Sequence, residues 1–118
     1  MWRLSVDKKF SAAHQLTNYN GPCENLHGHS WKVQTVVEGS ELNESGLVID
    51  FRELKDILKE IHDKFDHKYL NDLFEESPTS EFLSRYIFHY VKERIPACIS
   101  LVEVSVWESE NARATYFE

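Results

Sequence analysis

Residues 2–14 alternate. Trp2, Leu4, Val6, Phe10, Ala12 and His14 share one parity, and Arg3, Ser5, Asp7, Lys9 and Ser11 share the other; Lys8 is the discord on the apolar side. A period of two marks a strand with one buried face, so a strand is predicted here. Residues 15–26 hold Asn18, Asn20, Gly21 and Pro22, a loop signature. Residues 30–37 alternate again, with Trp31, Val33, Thr35 and Val37 in one row, and continuing that row backwards adds His29 and His27. After a polar connection from Gly39 to Gly46 the period lengthens. Asp50 reads as an N-cap and Glu53 completes a capping-box pattern. Leu54, Ile57, Leu58, Ile61 and Phe65 then form one helical stripe, with His62 off it and solvated. Ser77-Pro78-Thr79-Ser80-Glu81 starts a second helix, with Ser or Thr as cap and Pro in the first turn. Its stripe is Phe82, Leu83, Tyr86, Ile87, Tyr90 and Val91, and Pro96 ends it. Residues 99–108 alternate with Val102, Val104 and Val106 on one side and Glu108 continuing their parity; Asn111 marks a turn before a last short strand at Arg113–Phe117. The order ββααββ predicts one α+β domain over 1–118, an antiparallel four-stranded sheet with two helices on one face.

The chain has 118 residues, 42% of them hydrophobic and 28% charged, which fits a globular domain with a modest core. A net charge of −7 argues against a nucleic-acid partner, because such binding rests on clustered Lys and Arg. An anionic small substrate would need a local basic patch or a cation. No apolar run approaches the ~20 residues that span a bilayer. The opening residues Met1 to Asp7 go straight into alternation, so no signal peptide is expected. Cys23 and Cys98 make no disulfide framework, which fits a reducing, cytoplasmic location. Cys98, beside Ile99, is expected to act as a small apolar side chain.

Candidate chemistry gathers in Cys23-Glu24-Asn25-Leu26-His27-Gly28-His29. Two imidazoles at the mouth of an apolar face suit a metal, since each buried ring nitrogen needs a partner. His14 alone reads as a satisfied core or rim histidine; if the loop returns the chain antiparallel, His14 faces this pair, which favours the other reading, a third ligand, and Cys23 lies at the site's edge. Asp66 beside His67 matters if the carboxylate contacts the imidazole or both contact one substrate. Glu108 is either a strand end reaching solvent or an anchor for a donor-rich ligand.

Six pieces together resemble the 6-pyruvoyl-tetrahydropterin synthase family, and most closely its bacterial 6-carboxy-5,6,7,8-tetrahydropterin synthase branch. They are Phe10-Ser11-Ala12-Ala13-His14, Cys23-x-x-x-His27-Gly28-His29, Ile49-Asp50-Phe51-x-x-Leu54-Lys55, Asp66-His67-x-Tyr69-Leu70-Asn71, Pro78-Thr79-Ser80-Glu81 and Glu108. They span nearly the whole chain in the right order. The resemblance implies the T-fold, with subunits joined into trimeric barrels, trimers stacked as a homohexamer, and sites at subunit interfaces. It implies zinc on His14, His27 and His29; Cys23 as catalytic base; Asp66 and His67 as the second proton-transfer pair; and Glu108 and Thr79 as substrate-binding residues, with Glu108 at the pterin ring. The implied enzyme is a zinc-dependent lyase of queuosine biosynthesis. It converts 7,8-dihydroneopterin triphosphate to 6-carboxy-5,6,7,8-tetrahydropterin, releasing acetaldehyde and triphosphate. The spacing from Cys23 to His27 matches the bacterial branch. Gln15 stands where the family often has Arg or Lys, and Phe65 where it usually has Leu.

Two alternatives accompany this reading. One is an enzyme that stops at the 6-pyruvoyl product. The other is a non-enzymatic zinc module in which Cys23 closes a Cys-His₃ site; such a site has no use for Asp66, His67, Glu108 and Thr79.

Overall fold

The computed structural model describes residues 1–18, 21 and 25–118. Strand β1 (Trp2–His14) is followed by β2 (His27–Gly39), helix α1 (Phe51–Phe65), a two-residue strand β3 (Lys68–Tyr69), a 3-10 turn at Leu70–Asp72, helix α2 (Ser80–Lys92), β4 (Ser100–Ser109) and β5 (Ala112–Tyr116). The sheet runs β3-β1-β2-β4-β5. The four expected strands and two helices are present. The fifth strand is the difference: β3 runs parallel to β1 and pairs only Ala12 with Lys68 and Ala13 with Tyr69. A two-residue segment is too short to show a period.

One face of the sheet carries the core. Val6, Phe10 and Ala12 of β1, Trp31, Val33 and Val37 of β2, and Val104 and Val106 of β4 are buried there with the stripes of both helices. In α1 the buried residues are Leu54, Ile57, Leu58, Ile61 and Phe65, and Asp50 caps the helix by accepting the Arg52 N–H. Phe65 packs its ring 5.6 Å from Phe10 and 5.8 Å from Phe74, filling the space with aromatic neighbours.

Helix α2 is rotated from the expected stripe. Leu83, Ile87 and Val91 are buried as expected, but Ser80, Ser84 and Phe88 complete that face. Phe82, Tyr86 and Tyr90 are only partly buried and form a flanking row of rings with Phe74. Ser84 is tolerated inside because its hydroxyl donates to the Glu81 carbonyl at 2.9 Å. Thr79 is the N-cap, so Pro78 precedes the helix rather than sitting in its first turn. The helix ends at Lys92, ahead of Pro96.

Two irregularities shape β4. A register shift between Val36 and Val37 pairs Val37 with Leu101, so Leu101 packs against the core in place of Val102. A second shift lies between Trp107 and Ser109: Trp107 pairs with Arg113 and Ser109 with Ala112, leaving Glu108 as the extra residue of a bulge. Cys98 is exposed, which corrects its expected apolar role.

Candidate active site

The antiparallel register sets His14 opposite His27 and Ala12 opposite His29. The three imidazoles therefore converge on the helix-covered face, at one end of β1 and β2. Trp31 forms their floor: it is fully buried, and its indole N–H donates to the Ala12 carbonyl at 3.2 Å. His14 and His29 meet its ring edge-on at 4.9 and 5.5 Å.

The second nitrogens of two rings are committed. His14 Nδ1 lies 2.8 Å from the Pro78 carbonyl oxygen, and His27 Nδ1 lies 2.7 Å from that of Asn25. A carbonyl oxygen only accepts, so each Nδ1 carries the proton and each neutral ring presents a bare lone pair at Nε2. Those two Nε2 atoms stand 2.9 Å apart. Two lone pairs at that distance repel unless something electropositive lies between them. His29 Nε2 is buried and makes no hydrogen bond of good geometry. Glu108 Oε1 is only 2.8 Å from it, but off the direction the ring nitrogen presents. Burial pushes the His29 imidazole below its ordinary pKa; His27 and His14 add to this, and Glu108 opposes it. These features fit the residues to a metal ion.

Glu108 is the fourth member. Its Oε1 also lies 3.2 Å from His14 Nε2 and 3.8 Å from His27 Nε2. The ligand atoms of His14, His27, His29 and Glu108 all fall within 4.8 Å of one another, an arrangement that can hold a metal ion. Sequence reasoning placed Glu108 at a substrate ring; the structure brings its carboxylate among the imidazoles.

Asp66 and His67 form a separate pair. Asp66 caps the C-terminus of α1, and its Oδ1 accepts the Ser11 N–H at 2.9 Å. Its Oδ2 meets His67 Nδ1 at 2.7 Å. The Ser11 N–H first, and His67 second, hold the Asp66 carboxyl below the usual range. His67 has φ of +58°, the left-handed region, which β1 enforces by taking its N–H on the Ser11 carbonyl. Non-glycine residues rarely hold that conformation without a compensating constraint, and such strain clusters at functional sites. The imidazole is left mostly exposed, at 82%. Among the described residues no hydrogen bond or ion pair joins this pair to the histidine cluster, but His29 and His67 both line an open cleft of about 560 Å³.

The sequence profile of the family described as 6-pyruvoyl tetrahydropterin synthase matches residues 3–118. The chain belongs to that family. It is 40% identical to a 6-carboxy-5,6,7,8-tetrahydropterin synthase of Synechocystis, over 99% of this chain and 94% of that one. It is 31% identical to a dihydroneopterin monophosphate aldolase of Pyrococcus furiosus, over 90% of this chain and 89% of that one. The solved 6-pyruvoyl tetrahydropterin synthase of Caenorhabditis elegans superposes with a TM-score of 0.85 at 26% identity, covering 99% of this chain and 95% of that one. The fold is the T-fold of these synthases.

Cys23 lies outside the described residues. Thr79 sits at the start of α2, where its hydroxyl accepts the Phe82 N–H at 3.1 Å. A clamp missed by sequence reasoning holds the segment just after His14. The Asn71 side chain accepts the Gln15 N–H at 2.9 Å and donates to the Gln15 carbonyl at 2.7 Å. The Tyr69 hydroxyl donates to the Gln15 side chain at 3.2 Å, and Ser77 accepts the Thr17 N–H at 2.7 Å. No periodicity marks such a clamp; its one signal is that Asn71 closes the piece Asp66-His67-x-Tyr69-Leu70-Asn71.

Proposed function

We propose that this synthase converts 7,8-dihydroneopterin triphosphate to 6-carboxy-5,6,7,8-tetrahydropterin, with loss of triphosphate and acetaldehyde, as a zinc-dependent lyase in queuosine biosynthesis. The observation that carries the reading is the facing pair of bare Nε2 atoms on His14 and His27, with His29 beside them. Three neutral imidazoles leave a position open for substrate, the arrangement of a catalytic rather than a structural zinc site. Zinc bound there supplies Lewis acidity to oxygens of the substrate side chain.

The chain's own groups take the remaining roles. Cys23, as thiolate, removes a proton from the side chain, and a neighbouring dication favours that form. Asp66, kept ionised, orients His67 while its exposed ring moves a second proton. Glu108 turns from the imidazoles to accept two N–H bonds from the pterin edge. Thr79 offers its hydroxyl proton, since the helix cap uses only its lone pair.

The assembly is a homohexamer of two trimers in the cytoplasm, with sites between subunits. β3 covers β1 only at Ala12 and Ala13, so the outer edge of residues 2–10 and that of β5 are open to strands from neighbours. A pair and a cluster that do not touch within one chain also favour sites built across subunits.

The Pyrococcus relative favours a second reading, cleavage of a dihydroneopterin phosphate without loss of triphosphate. The test is product analysis with dihydroneopterin triphosphate and monophosphate. The 6-carboxy product with stoichiometric acetaldehyde supports the proposal. The 6-pyruvoyl product from the triphosphate, or turnover of the monophosphate alone, overturns it.

A further inference from the structure

His62 was expected to be solvated, off the stripe of α1. The structure sets it against the Asp66–His67 pair instead. Its side chain is only 28% exposed, and its Nε2 lies 3.4 Å from Asp66 Oδ2, the same oxygen that meets His67 Nδ1 at 2.7 Å. The two residues are one helical turn apart, and the Asp66 N–H closes that turn on the His62 carbonyl at 2.8 Å. The other ring nitrogen, Nδ1, lies 3.2 Å from Asp63 Oδ1. The ring therefore stands between two carboxylates, with one nitrogen within ion-pair distance of each.

The groups facing Asp66 are few. From α1 come His62 and, behind it, Asp63, which Lys59 holds at 2.8 Å. From β1 comes the Ser11 N–H, and from the residue just before β3 comes His67 itself. Ser11 fixes Oδ1; among the described residues, the partner of Oδ2 other than His62 is the exposed His67 ring itself, which offers the carboxylate a mobile support rather than a fixed one.

We propose that His62 is a positioning residue for the Asp66–His67 pair: it pins the second carboxylate oxygen so that the strained His67 ring keeps its aim into the cleft. The inference rests on the reading above that this pair moves a proton. Charge on His62 also contributes, after Ser11 and His67, to keeping Asp66 ionised.

The test compares wild type, His62→Gln and His62→Arg by carboxyl-selective NMR titration and by the pH profile of kcat, with Asp66→Asn beside them. In His62→Gln the Asp66 midpoint should move up, the acid limb of kcat should follow, and kcat at neutral pH should fall about threefold, the scale of one exposed charge pair. His62→Arg, which restores a cation one turn before Asp66, should return the midpoint and the limb towards wild type. An unmoved Asp66 midpoint in His62→Gln overturns the inference even if Asp66→Asn is inactive. A fully active Asp66→Asn overturns the underlying proton-transfer reading, whatever His62 does.

Discussion

The imidazole of His14 donates from Nδ1 to the Pro78 carbonyl oxygen at 2.8 Å, and that one bond makes the start of α2 part of the histidine cluster. Pro78 is the residue before the Thr79 cap, so the carbonyl is held by the geometry that starts the helix. The bond selects the tautomer that leaves Nε2 free for an ion.

Each of His14→Ala, His27→Ala and His29→Ala should therefore lose most bound zinc and all turnover, measured by metal analysis and product formation. Chelation of the wild-type protein should lower its thermal midpoint, since an ion present at 100 times its Kd stabilises the fold by about 2.7 kcal/mol. A His14→Ala protein with full zinc occupancy removes His14 from the site.

Glu108→Gln separates two roles for that carboxylate. As a pterin anchor, its loss should lower kcat/KM by roughly two orders of magnitude, about 3 kcal/mol, with zinc content unchanged. Its contact with His29 at 2.8 Å supplies the other outcome. Zinc and activity lost in parallel would make Glu108 a metal ligand.

Cys23 should react with an alkylating reagent in step with loss of activity. Cys98 is exposed and will be labelled too, so the measurement belongs in a Cys98→Ser background, which should be fully active. Full turnover after labelling Cys23 there would exclude a thiolate base.

Trp31→Phe removes the indole donor to Ala12 and leaves space beneath His14 and His29. Stability to urea should fall by about 0.5–1.5 kcal/mol, the scale of one hydrogen bond removed. Zinc affinity should fall with it, since the floor under two ligands is gone; unchanged stability would show that the indole bond carries nothing.

Asp66→Asn carries a pH signature. The folded protein holds this carboxyl below its ordinary range, so its stabilising contribution is present above the unfolded value and is lost as pH falls through the folded one. The stability gap between wild type and variant should be widest near neutral pH and close in acid. A gap that widens in acid would mean Asp66 is not held ionised by Ser11 and His67.

Much of this was legible from periodicity. β1 and the five-residue stripe of α1 follow from spacing alone, and the facing of His14 on His27 follows from two strands joined by a loop. Helix α2 was harder, because Phe82, Tyr86 and Tyr90 repeat at the same interval as Leu83, Ile87 and Val91. Choosing between adjacent stripes needs the position of β5, where Tyr116 meets Phe88 at 5.1 Å. The β4 bulge, the Asn71 clamp and the nearness of His62 to Asp66 depend on tertiary approach, which no local pattern encodes.

The bulge has a mechanical consequence. The ladder between β4 and β5 holds at Trp107 and resumes at Ser109, so residue 108 is a joint outside the paired ladder. The acid of the cluster hangs on that joint, while its three imidazoles hang on the long paired strands β1 and β2. On the function proposed above, exchange of an ion or a ring is absorbed by the carboxylate's swing, leaving the histidines and the valines behind them in register.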